Sequence, residues 1–379
     1  MKASVPAGPI APLRWAAIAA TAVLAGGCMV SPPREHTRAQ EGVVRAASPL
    51  TAERVGQAFD RLLPGVLALV PDSRRRDIEI WVQDVPALYE FQSSAYSDAD
   101  GFYAHSARRI HLREGSENIE RTLAHELVHA SLGRSWETLP GTLEEGLCDY
   151  ISTLLCPDAA ARLSAGRLAS AAFSTGGLVL DIDLALPSTD RPDQRDVCWS
   201  ARLRLEGEPR IDVDPLRVFD EEAGLSSSDL TPSQKKAYYG IAFLVVQRIA
   251  DRVGIEGLHQ LCVNARREGL SQVPAERLLE AAGLGLERAD LRAAIEEAFT
   301  PREIAEIVRA HPEFLASTVA HYLGPVGLER EILDDIVQLE AFIAVSGPAG
   351  RGLAIASMEP FRSDIEHAVR RSGPRLAGH

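Results

Sequence analysis

The sequence predicts an α+β fold of short strands and longer helices, with a helical C-terminal region. Three patterns predict it. Residues 77–82 alternate, with Ile78, Ile80 and Val82 apolar, as a half-buried strand does. Residues 51–70 carry Val55, Phe59, Leu62, Leu63 and Val66 at helical spacing. A third segment, residues 116–132, repeats Ile119, Leu123, Leu127 and Ala130 as an apolar stripe along one helix face.

Taken in order, residues 29–48 are polar and carry Ser31, Pro32 and Pro33, the composition of a tether. The first helix and strand follow. Gly101, Phe102 and Tyr103 open a turn and a second strand region that ends at Arg109, Ile110, His111 and Leu112. Ser116 offers a helix cap, and Glu117 and Glu120 place negative charge in the first turn, where the helix dipole favours it. That helix runs to about Leu132, and Gly133 suits its end. Pro140 and Gly141 break the chain, and Thr142 opens a second helix that reaches Leu155. Residues 175–215, rich in Pro, Asp and Gly, read as strands and loops. A strong helix spans 235–253 and another follows Gly254, over 255–267. Shorter helices run to Phe299. Pro301 marks a boundary, a helical pattern continues to about residue 345, and the last thirty residues weaken to a tail. The organisation is therefore a leader (1–27), a tether (28–48), a main domain (49–300) and a helical C-terminal region (301–379).

The 379 residues give room for a sizeable core, with 46% hydrophobic and 25% charged side chains, as in ordinary globular chains. Asp and Glu number 53 against 40 Lys and Arg, a net charge of −13. An acidic chain without a basic stripe is poorly suited to a phosphate backbone, so nucleic acid is excluded as a partner.

The N-terminus reads as an export signal. Lys2 and Arg14 precede an apolar run of about 13 residues, shorter than the roughly 20 a membrane span needs. It ends Leu24-Ala25-Gly26-Gly27-Cys28, which resembles a bacterial lipobox, with the large aliphatic four places before the cysteine rather than three. Cys28 is the expected lipidation site, and acyl chains there would hold the chain to a membrane. Met29 and Val30 follow without an acidic residue, which favours an outer-membrane address for a periplasmic or cell-surface lipoprotein. Export permits disulfides among Cys148, Cys156, Cys198 and Cys262, in no pairing the sequence assigns. None stands at a Cys-x-x-Cys spacing, so a cysteine zinc site is not expected.

The chemistry lies at His125-Glu126-Leu127-Val128-His129. Histidines four apart on a helix share one face, so both imidazoles reach one metal ion, and Glu126 projects beside it as a base for a metal-activated water. Catalytic zinc takes a third protein ligand. The helix that starts at Thr142 supplies two carboxylates for that place, Glu144 and Glu145, and Asp149 lies four beyond Glu145. Thr142 and Glu145 also form a capping-box pattern that would account for Glu145 without a metal.

The His125-Glu126-x-x-His129 helix, followed by Glu145-Gly146 and Asp149, resembles the gluzincin branch of the zincin metallopeptidases, the thermolysin-like group and its peptidase MA-like relatives. The interval from His129 to Glu145 is shorter than in thermolysin-like enzymes proper. A metzincin is excluded, since Ser135 stands where its third histidine would be. The resemblance covers about residues 75–300. It implies a zincin-like, thermolysin-like domain, a small mostly antiparallel sheet packed on the site helix with a helical second half, holding one zinc ion on His125, His129 and Glu145, with Asp149 steadying a ligand histidine and Glu126 as general base. It further implies an edge strand near Gly101 that pairs with a protein or peptide substrate, and a tyrosine opening a later helix, Tyr238 before Tyr239, as donor to the oxyanion. The function expected is that of a membrane-anchored zinc peptidase. A hydrolase of cell-wall peptides would share the same site. A rival of another class is a catalytically silent zincin-scaffold lipoprotein that binds or assembles partners.

Overall fold

The computed structural model describes residues 35–39, 42–75, 77–83, 100–185, 198–220, 230–285, 287–311, 340–347 and 350–357. The expected export signal and Cys28 lie outside them. Among the described residues no helix is long and apolar enough to cross a membrane.

The first sheet is built from β1 (Glu35–Ala39), β2 (Gly42–Ala46), β3 (Ile78–Gln83), β4 (Gly101–Ala104) and β5 (Arg109–Arg113), in the order β1-β2-β3-β5-β4. The two hairpin pairs, β1–β2 and β4–β5, are antiparallel, while β2–β3 and β3–β5 are parallel. The sheet is thus mixed rather than mostly antiparallel. Helix α1 (Pro49–Leu69) carries the chain from β2 across to β3, and such a crossover returns the chain in the same direction. β1 and β2 occupy residues expected to be a tether. β2 is an inner strand, and Val44 and Ala46 are fully buried in it.

α1 and the site helix α2 (Ile119–Ser131) pack on one face of this sheet. Val44, Ile80, Ile110 and Leu112 meet Phe59, Leu62, Val66, Leu123 and Leu127 there, all essentially inaccessible to solvent. Each such side chain contributes about 1.5–3 kcal/mol by burial, enough to fix the site helix against the sheet. α2 begins at Asn118, not Ser116, and has no side-chain cap. A short 3-10 turn (Arg134–Thr138) follows, its Trp136 buried and donating through Nε1 to the Pro71 carbonyl at 2.7 Å.

Helices α3 (Gly141–Leu155), α4 (Pro157–Ala172) and α5 (Pro232–Arg267) form the next layer. α5 starts from a capping box of Thr231 and Gln234 and is interrupted at Gly254, whose φ of 74° is left-handed, as the sequence pattern placed the break. Two close approaches hold the layer together. A Cβ on Gly146 would lie 2.5 Å from the Ala242 carbonyl oxygen, and one on Gly240 would lie 2.2 Å from that of Arg167. Glycine at both places lets α3 and α4 seat directly on the α5 backbone.

Three short helices follow: α6 (Ala275–Ala282), α7 (Arg288–Ala298) and α8 (Pro301–Ala310). A second sheet joins β6 (Gly177–Ala185), β7 (Cys198–Glu206), β8 (Glu340–Gly347) and β9 (Gly350–Ser357) in that order. The helical and tail-like readings of residues 340–357 are therefore corrected. β8 pairs in parallel with β7, so the C-terminal segment completes a sheet begun before residue 206. The whole is a mixed α+β fold, a small sheet packed against helices with a largely helical remainder and no closed barrel.

Candidate metal centre

α2 and α3 pack together and bring the motif residues into one buried cluster. The ring centroids of His125 and His129 are 5.1 Å apart, as the one-turn spacing requires. His125 directs Nδ1 to Asp149 Oδ1 at 3.0 Å and Nε2 to Glu145 Oε2 at 3.1 Å. His129 directs Nδ1 to Glu144 Oε1 at 2.7 Å, and its Nε2 lies 3.4 Å from the same Glu145 oxygen. Cys148 is fully buried and lies beside His129. Ligand atoms of His125, His129 and Cys148 all lie within 4.8 Å of one another.

A buried His/His/Cys cluster capable of chelating a metal ion is therefore present. Its donor set fits zinc, since neutral imidazole and thiolate are both good ligands for that ion. The resemblance to gluzincins fails at this point. The third member of the triad is Cys148, not the downstream glutamate that family requires. Glu145 is instead the carboxylate partner of both imidazoles. The expectation that no cysteine serves a metal is corrected with it. That expectation rested on Cys-x-x-Cys spacing, whereas Cys148 reaches the histidines through the packing of α3 on α2.

The capping explanation of Glu145 fails too. α3 starts after Pro140, and the Thr142 hydroxyl is buried without a hydrogen-bond partner, so it caps nothing. Glu145 is free to face the histidines.

The charges are strongly coupled. Burial works against ionised His125, but its hydrogen bonds to Asp149 and Glu145 prevail and raise its pKa to about 9. His129 is also raised well above the usual range: burial again opposes, and Cys148 and Glu145 outweigh it. For Glu145 and Asp149 burial pushes upward, yet the imidazoles, and for Asp149 also Arg167, hold both carboxyls far below the ordinary range. Burial raises the Cys148 thiol well above its usual value, so a metal taking it as thiolate must displace its proton. Glu126 is 5% exposed and hydrogen-bonds no neighbour in the cluster; burial raises its carboxyl, with the two histidines opposing.

Two more residues complete the surroundings, and of them only Glu144 was among the sequence expectations. Arg167 of α4 donates through Nε to Asp149 Oδ2 at 2.6 Å, and Asp149 is fully buried. Its guanidinium carbon lies 4.6 Å from the centre of the Tyr239 ring. Glu144, weighed only as a rival ligand, holds the outer nitrogen of His129. The two tyrosines at the start of α5 separate. Tyr238, the expected oxyanion donor, is turned to the Asp214 backbone and Arg217. Tyr239 lies by the cluster, where the Glu145 charge above all, then burial, raises its pKa well above the ordinary value. Adjacent positions on a helix point about 100° apart, so only one of the pair can face the site.

No protein-family model matches the chain, and no curated protein or solved structure matches it either.

Proposed function

We propose that the chain is a zinc-dependent hydrolase of peptide bonds, with His125, His129 and Cys148 as metal ligands and Glu126 as general base. The observation that carries this reading is a carboxylate, Glu126, buried beside a chelating cluster on the same helix. A binding scaffold needs the ligands and has no use for that carboxylate.

A zinc ion held there supplies an acidified water and a Lewis acid for a carbonyl oxygen. Glu126 accepts the proton of the attacking water and returns it to the leaving amine. Tyr239, which feels the Glu145 charge, would donate its hydroxyl proton in a hydrogen bond to the oxyanion, in place of Tyr238. Asp149 and Glu144 accept from the outer nitrogens of His125 and His129 and so fix both rings. Among the described residues β4 is the end strand of its sheet, a position that suits pairing with an extended chain and supports a protein or peptide substrate. The lipobox-like ending at Cys28 supports export and a membrane anchor, and the acidic composition argues against nucleic acid.

Hydrolysis of an unfolded protein by the zinc-loaded chain, compared with Glu126→Gln, tests the reading. Glu126→Gln should bind zinc and lose at least a hundredfold in rate. Equal rates in the two, with zinc bound in both, would reject catalysis and leave a metal-binding scaffold.

A further inference from the structure

We propose that Arg167 is a positioning residue of this centre, fixing through one guanidinium both the Asp149 carboxylate behind His125 and the Tyr239 ring beside Glu145. The proposal rests on the metal-centre reading above. Asp149 divides its two oxygens: Oδ1 takes His125 Nδ1 at 3.0 Å and Oδ2 takes Arg167 Nε at 2.6 Å. A carboxylate held at one oxygen by a planar donor cannot rotate without breaking that bond, so the other oxygen stays aimed at the imidazole. That contact keeps a proton on His125 Nδ1, so that Nε2, which faces Glu145 at 3.1 Å, is the nitrogen a metal would take once its proton is displaced. Arg121 is the other cation nearby, but its Nη1 is 3.7 Å from Asp149 Oδ1, beyond hydrogen-bond range, so it does not substitute.

The second hold is on Tyr239. Stacking of a guanidinium on an aromatic face restrains the ring, and arginine does this where lysine, a compact charge, does so less well. The backbone enforces the arrangement. Gly240 seats α5 against the α4 backbone at Arg167 itself, a Cβ there meeting the Arg167 carbonyl oxygen at 2.2 Å and Ala171 N at 2.7 Å. The arginine and the tyrosine are thereby kept in register, and a residue on α4 that touches none of the ligands holds the carboxylate that does touch His125.

The test compares the full chain with Arg167→Gln, Arg167→Lys, Asp149→Asn and the Arg167→Gln/Asp149→Asn double variant. Zinc affinity is read by chelator competition, and circular dichroism and melting of the metal-free forms report the fold. Arg167→Gln should weaken zinc about 10- to 100-fold with its fold retained, and Arg167→Lys should recover part of that. Asp149→Asn should weaken zinc to a similar degree, and the double variant should be little worse than either single one. Zinc bound as tightly by Arg167→Gln as by the wild type would overturn the proposal alone. So would losses that multiply in the double variant. If Arg167→Gln does not fold, Arg167→Lys in the wild-type and Asp149→Asn backgrounds gives the same comparison. A wild-type chain that takes up no zinc overturns the metal reading, and this proposal with it.

Discussion

Replacing Gly146 by alanine adds one methyl group between Glu145 and Leu147, in the turn of α3 that carries Glu145 and Cys148. The new Cβ would lie 2.5 Å from the Ala242 carbonyl oxygen, 2.6 Å from its carbon and 3.0 Å from Phe243 N. Ordinary contact begins near 3.4 Å, so α3 or α5 must retreat by about 0.9 Å. All three atoms are backbone in a buried helix, and none can swing aside. Overpacking of this kind costs about 3 kcal/mol, at the upper end of its usual range, while alanine regains about 1 kcal/mol of helix propensity over glycine. The net loss is about 2 kcal/mol, or about 4–8 °C in melting temperature for a domain of this size. Gly166 provides the contrast, since it is an exposed helical glycine with nothing within 4 Å of its would-be Cβ. Gly166→Ala should raise the melting temperature by a few degrees. Thermal melts of the two variants decide between packing and motif chemistry as the reason for glycine at 146. If Gly146→Ala melts at or above the wild-type temperature, the close seating of α3 on α5 is wrong.

Three further outcomes are expected. His111 is 4% exposed, and burial first, then Arg109, depresses its pKa from 6.5 to about 4. The fold therefore holds it neutral: its contribution is complete above pH 6.5 and is lost as pH falls toward 4, a loss of about 2 kcal/mol by pH 5. Urea midpoints at pH 7 and pH 5 should differ less in His111→Phe than in the wild type, and an unchanged difference would count against the buried neutral ring. Ser135 donates to Asp72 Oδ2 at 2.5 Å and sits 2.8 Å from His259 Nε2, joining the loop after α1, the turn after α2 and α5. Ser135→Ala should lower stability by about 1–2 kcal/mol in denaturant unfolding without changing zinc content. Glu144→Ala should weaken zinc about tenfold or more in chelator competition, because His129 Nδ1 loses its acceptor.

The site helices were legible because their signal is local. The one-turn spacing of His125 and His129, the apolar stripe behind them and the Pro140-Gly141 break depend on nothing beyond a few neighbouring residues. The interruption at Gly254 was legible for the same reason. What the sequence hid is set by packing between distant segments. Cys148 joins the histidines only because α3 crosses α2 at a particular angle, and along its own helix it looks like a core residue. Arg167 lies eighteen residues beyond Asp149, with a helix end between them. Tyr238 and Tyr239 differ only in which way the start of α5 is rotated.

The two sheets depart from expectation for separate reasons. β2 is short and carries Gly42 and Arg45, so its pattern is too weak to read as a strand. It is buried only because β1 and β3 flank it. Without β2 in view, the β2–α1–β3 crossover is invisible, and a helix between two strands is taken as a helix beside an antiparallel sheet. Near the C-terminus, the run Phe342-Ile343-Ala344-Val345 is continuously apolar and suits helix or strand equally. Pairing with β7 decides it.

Cobalt(II) substituted for zinc reports on the Cys148 ligand, because a thiolate gives an intense near-ultraviolet charge-transfer band that carboxylate and imidazole do not. The wild-type chain should show that band at one equivalent of cobalt. Cys148→Ser should lose it and bind the metal more weakly. A spectrum without the band, with metal retained by Cys148→Ser and lost by Glu145→Ala, would contradict the His125, His129 and Cys148 centre.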